Sequence, residues 1–292
     1  MSDTRERVSG LSGNALKVIA IILMIIDHFG SVFCTPGTEL YAVTRLIGRL
    51  SFPIFAFLIV EGFLHTRNVW KYILSLLIFA VISEVLFDLM ASGTVFNFHY
   101  QNVLFTFAVS VLMLKIISYT ETQKICNKMH IFVVTFAYAL AFMTVTVCMY
   151  KSFPAKGIEK DNFIILGAGI LGIIFMIIHL YRVGYEITVK RGYVLLTVSV
   201  TVLISIYLNF DYSWAGVLAI LLMYKLRRDT MLAYFIACTF LFLMNRSEVT
   251  SYLGYIFINM YNGTRGKGNK YLFYLSYPLH ILILLIIFYL VK

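Results

Sequence analysis

The sequence predicts an all-α polytopic membrane protein, a single bundle of about ten or eleven transmembrane helices with a cytoplasmic N-terminus. Three observations lead there. Of the 292 residues, 61% are hydrophobic and only 13% are charged, whereas a soluble domain is nearer half apolar and a quarter charged. Apolar runs of about 17 to 25 residues recur along the chain, each long enough to cross a hydrocarbon core of roughly 30 Å. The runs are continuous instead of alternating, which selects helices over a closed barrel, the two ways a backbone satisfies its own polar groups in lipid.

The elements follow in order. Residues 1–14, MSDTRERVSGLSGN, are polar and read as a cytoplasmic N-terminus, with Asn14 as the expected N-cap of the first helix. Residues 15–292 then form the transmembrane domain. Segment 15–33 is apolar except for Asp27 and His28. That pair breaks a signal-peptide core and no small-x-small cleavage site follows it, so the segment is read as a retained helix. Segment 40–63 holds Arg45 and Arg49 one helical turn apart, and segment 70–90 holds Glu84 and Asp88. Segments 100–119, 131–149, 163–181 and 192–209 have spanning length. Segments 212–226, 230–244 and 250–261 are short for a crossing, and 270–291 closes the set with Pro278 and His280.

Charge supports this alternation. With the N-terminus inside, 17 of the 24 Lys and Arg residues fall on the cytoplasmic side, 5 fall outside, and Arg45 and Arg49 lie within the membrane. The bias satisfies the positive-inside rule, so the net charge of +10 needs no nucleic-acid partner. Cys34, Cys126, Cys148 and Cys238 show no paired spacing and read as apolar packers. The six histidines show no close ligand spacing, so no metal is expected.

Ionisable side chains inside hydrocarbon are costly and mark a pathway or a site. At 1.5 Å per residue, His28 lies about 20 Å from the cytoplasmic face, Arg45 and Arg49 about 22 and 17 Å, and Glu84 about 21 Å. Four ionisable groups on three consecutive helices therefore share one layer, with Asp88 a turn further out. In this reading Glu84 and Asp88 also neutralise the two arginines. The unperturbed pKa of a histidine suits proton transfer, which makes His28 the expected catalytic or relay group. Asp27 lies about 100° round the helix from it and is expected to pair with another helix or to join the chemistry.

Two further stretches carry lesser signals. GAGILG, Gly167–Gly172, matches GxGxxG but sits within an apolar span with no strand before it, so it reads as close helix packing and not a dinucleotide site. YNGTRGKGNKY, Tyr261–Tyr271, is a glycine-rich basic loop on the cytoplasmic side whose backbone N–H groups suit phosphate; a flexible positive loop is the plainer alternative.

Taken in order, ALKVIAIILMIIDHFG, RLIGRLSFPIFAFLIVEGFLHTRN, YILSLLIFAVISEVLFDL, NVLFTF, DYSWAGVLAILLMY and YNGTRGKGNKYLFYLSYPLHILIL resemble the TraX family, whose namesake is the F-pilin N-acetyltransferase, over nearly the whole chain. The resemblance implies a transmembrane acyltransferase of the cell membrane, with His28 at the matching catalytic position. It implies acetyl-CoA as acyl-donor substrate, no permanently bound cofactor, and an exported peptide or glycan as acceptor. Within that picture Asp27, Arg45, Arg49 and Glu84 accompany His28, and Arg67, Arg265 and Lys267 meet the donor's phosphates. Asp88, Asn102 and His280 are assigned to the acceptor. His28 either deprotonates the acceptor or forms an acyl-imidazole. The rival expectation is a multi-pass transporter using the same His/Arg/Glu layer as its pathway.

Overall fold

Local polarity decides where the helices start. The computed structural model describes residues 10–124, 130–152, 162–268 and 270–291. Residues 1–9, with Arg5 and Arg7, and Cys126, Lys128, Lys156, Lys160 and Lys292 lie outside the described residues. Helix α1 (Gly13–Phe33) is capped by Ser12, whose Oγ accepts from the Ala15 N–H. The expected cap, Asn14, is one residue inside the helix. Its Nδ2 donates to the Gly266 carbonyl instead, because the approach to α1 pairs with a distant loop: Leu11 N–H donates to Met260, Asn262 N–H to Leu11, and Gly13 N–H to Thr264.

The second apolar segment is two helices, α2 (Glu39–Gly48) and α3 (Ser51–His65), broken at Arg49 and Leu50. Then follow α4 (Val69–Ser92), α5 (Val103–Thr122), α6 (Ile131–Ser152), α7 (Asn162–Val183) and α8 (Tyr185–Tyr207). Asn68 and Asn102 cap α4 and α5 through their side-chain oxygens. Helices α9 (Ser213–Lys225) and α10 (Thr230–Met244) are shorter. A 3-10 helix (Arg246–Gly254) runs into α11 (Tyr255–Asn259), and α12 (Lys270–Val291) is the last of the described helices. No strand occurs among the described residues.

Eight segments, counting α2 and α3 as one, are long and apolar enough to cross a membrane. The eleven expected segments thus resolve as these eight, the shorter α9 and α10, and a limb at 246–259 that is not a spanning helix. Five of the six residues from Arg246 to Ser251 in that limb are polar, and its bends are held by tertiary hydrogen bonds. Tyr234 Oη donates to the Ser251 carbonyl at 2.9 Å, and Thr250 Oγ1 to the Leu46 carbonyl at 2.6 Å. The limb carries the chain back to the end of the bundle where α1 begins.

The main core joins α1, α3, α4, α5, α9, α10, α11 and α12, with Cys148 of α6 and Val202 of α8 reaching into it. Helices α6, α7 and α8 pack chiefly on one another around Val134, Tyr138, Met176 and Val189. In α7, the GxGxxG stretch serves close packing: a Cβ at Gly172 would overlap the Tyr138 carbonyl, whereas one at Gly167 would meet open space. Gly172→Val should therefore destabilise the protein by about 1–3 kcal/mol through overpacking, read as a lowered melting temperature in detergent. Gly167→Ala should melt like the wild type.

Candidate active site

Two glycines bring α1 and α2 together. A Cβ at Gly30 would overlap Thr44 Oγ1, and one at Gly48 would overlap the Asp27 side chain. At that separation Arg45 Nη1 donates to Asp27 Oδ2 at 2.6 Å. Arg49, at the α2–α3 break, turns the other way. Its Nη1 donates to Glu248 Oε1 at 3.0 Å and to Tyr212 Oη at 3.5 Å. The Glu248 side chain is fully buried and that of Arg49 is 13% exposed, so each charge depends on the other. Arg49 Nε and Asp27 Oδ1 are buried with no hydrogen-bond partner among the described residues, leaving a spare donor and a spare acceptor.

His28 meets α12. Its Nδ1 lies 2.6 Å from Nε2 of His280, and His280 Nδ1 lies 2.8 Å from the Ser276 carbonyl oxygen. Tyr277 stands edge-on to both rings.

A cavity of about 970 Å³ passes through this layer. Along α4 its lining runs from Asn68 to Ala91, about 35 Å of helical rise. Lys17, Arg67, Lys71 and Arg265 line the end where α1 begins. Phe55, Leu58, Ile59 and Leu76 make an apolar middle, and Asp27, His28, Arg45 and Arg49 follow. Met90, Tyr100 and Asp211 line the far end. At the basic end Tyr261 Oη donates to Glu61 at 3.0 Å; burial, then the Glu61 charge, push that phenol up to about 12.

Asp211 sits in a turn held open by left-handed backbone at Asn209, Tyr212 and Ser213, none of them glycine, a strain that surrounding structure must enforce. Its Oδ1 accepts from Tyr100 Oη at 2.7 Å and from the Tyr212 N–H at 2.9 Å. Burial pushes the Asp211 carboxyl upward from its ordinary range.

Of the residues given a site role from sequence, Asp27, His28, Arg45, Arg49, Arg67 and Arg265 line this cavity, and Glu84, Asp88, Asn102, Lys267 and His280 do not. His280 stands behind His28. Lys267 is exposed on the loop, while Lys17 and Lys71 take the basic wall. Glu84 and Asp88 do not neutralise the arginines. Glu84 Oε2 accepts from the Asn102 backbone and side chain, and Asp88 Oδ2 accepts from the Asn97 N–H at 2.8 Å. Both carboxylates, with fully buried Asn102, tie down the connection between α4 and α5. Sequence reading passed over Glu248, the true partner of Arg49. Its signal was a carboxylate between two apolar runs, FLFLM and YLGYIFI.

The family model described as TraX protein matches residues 12–155 and 161–288. The chain belongs to the TraX family. A relative from Dichelobacter nodosus, named as the probable fimbrial assembly protein FimC, serogroup H1, is 43% identical over 108 residues. The match covers 35% of this TraX-family chain and 44% of that protein, so the chain spans under half of the relative's length. No solved structure matches.

Because Arg49 and Glu248 are buried together, removing one strands the other. Glu248→Ala or Arg49→Ala alone should cost about 3–5 kcal/mol of stability, and the pair Arg49→Met with Glu248→Leu should recover most of it. Thermal unfolding of the three variants in detergent reads this directly; equal losses in single and paired variants would rule out the coupling.

Proposed function

We propose that this TraX-family protein is an integral-membrane acyltransferase. It moves an acetyl group from acetyl-CoA to an amine or hydroxyl of an exported acceptor, a pilin-like peptide N-terminus or an envelope sugar. The observation that carries this reading is one cavity joining a basic end to a half-buried imidazole that shares its wall with two guanidiniums. The chemistry at successive depths matches a donor with phosphates at one end and a thioester at the other. Lys17, Arg67, Lys71 and Arg265 supply cations for phosphate, and the apolar middle suits the uncharged pantetheine arm. From Gly13 to His28 the helical rise is about 22 Å, a reach of the length such an arm requires.

His28 takes the proton of the acceptor's N–H or O–H as its heteroatom bonds to the thioester carbon. The oxyanion that forms meets the unpartnered Nε–H of Arg49, a preorganised donor in a site sheltered from bulk water. Collapse breaks the C–S bond, and His28 returns the proton to the departing thiolate. Attack by His28 itself, giving an acetyl-imidazole, is the other route through the same atoms. Asp27 holds Arg45, so its role is to fix a charge beside the reacting carbon. The acceptor approaches from the far end, past Tyr100 and Asp211. The relative named as a fimbrial assembly protein supports an acceptor on a surface appendage, and the lysine and arginine bias supports the cytoplasmic membrane with the donor inside.

Radiolabelled acetyl-CoA tests the proposal. Purified wild-type protein should bind it and transfer or retain label. His28→Ala should lose transfer by roughly 10²- to 10⁴-fold, the range of general acid–base catalysis, while inserting and melting normally. Transfer at the wild-type rate in that variant would exclude His28 as the base. Absence of donor binding, with gradient-driven uptake instead, would favour the transporter reading.

A further inference from the structure

The imidazole pair determines which atom of His28 acts. A carbonyl oxygen has no proton to give, so the 2.8 Å contact at Ser276 makes His280 Nδ1 the donor. In a neutral ring the other nitrogen, Nε2, is then an acceptor. It faces Nδ1 of His28 at 2.6 Å, and two lone pairs do not approach so closely, so His28 Nδ1 carries a proton. The ring planes differ by 15° with centroids 4.9 Å apart. Rings stacked face to face at that spacing would not bring two nitrogens to 2.6 Å; these lie end to end in nearly one plane, as an in-plane hydrogen bond requires.

A doubly protonated His280 would reverse the assignment, but an imidazolium there would need an anion. Among the described residues neither ring meets a carboxylate oxygen within 4.0 Å, and Asp27 and Glu248 are engaged by Arg45 and Arg49. With Nδ1 protonated, Nε2 of His28 is left as a bare lone pair. No hydrogen-bond partner for it occurs among the described residues, and the His28 ring lines the cavity.

We propose that His280 is a positioning residue: the chain from the Ser276 carbonyl through His280 to His28 fixes His28 in its Nδ1–H tautomer and presents Nε2 to the cavity. The catalytic consequence rests on the acyltransferase reading, whereas the tautomer does not. In that reaction the acceptor proton moves to Nε2, the acceptor heteroatom bonds to the thioester carbon, and the C–S bond breaks to a thiolate that takes the proton back. While His28 is charged, the same Nδ1–H bond to His280 strengthens and shares its charge with a neutral ring. Burial of His280, 6% exposed on α12, keeps water from competing for that bond.

The test uses the full chain in lipid nanodiscs with ¹⁵N-labelled histidine. Ring ¹⁵N–¹H correlations should show His28, assigned by its loss in His28→Gln, as the Nδ1–H tautomer. His280→Ala should switch it to Nε2–H, the form a free imidazole prefers. His280→Gln, whose amide oxygen accepts the same bond, should keep Nδ1–H. Acetyl transfer should follow the tautomer: His280→Ala loses roughly 10²- to 10⁴-fold in kcat at unchanged KM for acetyl-CoA, and His280→Gln recovers most of the rate. An Nε2–H His28 in the wild type, or an unchanged tautomer in His280→Ala, overturns the proposal. A wild-type protein with the Nδ1–H tautomer but no transfer overturns the acyltransferase reading alone.

Discussion

Two guanidinium groups held inside an apolar bundle must find their counter-charges there, and much of this structure answers that demand. An unpaired buried charge costs several kcal/mol, more than most packing details can offset. Arg45 is met by Asp27 only because Gly30 and Gly48 let α1 and α2 approach closely. Arg49 is met by Glu248, which requires the chain after α10 to turn back into the bundle as a 3-10 limb instead of crossing as a regular helix. The break between α2 and α3 falls at Arg49 and Leu50, so that the two arginines, one turn apart, face different partners.

The paired arginines are also what lets the cavity be mostly apolar and still hold charge. Its basic end, its greasy middle and its polar layer follow one another along α1, α3 and α4. Such a passage is compatible with transport as well as with transfer. What sets this one apart is the end-to-end imidazole pair beside the arginines, since a lone-pair nitrogen aimed at a confined space is a reagent and not merely a binding group.

Other intramembrane polar groups serve a different purpose. Glu84, Asp88 and Asn102 satisfy backbone N–H groups in the α4–α5 connection, and Gln101 pairs with Asn209 and Asp211 across to the α8–α9 turn. This network shapes the far mouth of the cavity and orients Tyr100 and Asp211 toward it. Its members are as buried as the residues at the centre, so burial and charge alone do not identify the reactive ones.

The sequence by itself determined the class of the protein: continuous apolar runs can satisfy their backbones in lipid only as helices. It also determined depth, because helical rise is fixed, which is why His28, Arg45 and Arg49 were legible as one layer. Rotation about the bundle is not set by rise. Glu84 shares that depth yet faces Asn102, while Glu248 reaches Arg49 from 199 residues away along the chain. Likewise His280 was visible as a mid-membrane histidine, but its bond to His28 depends on how α12 packs against α1. Only the tertiary structure decided these partners, because pairing follows the azimuth and contact of whole helices, a property of the assembled bundle and of no single segment.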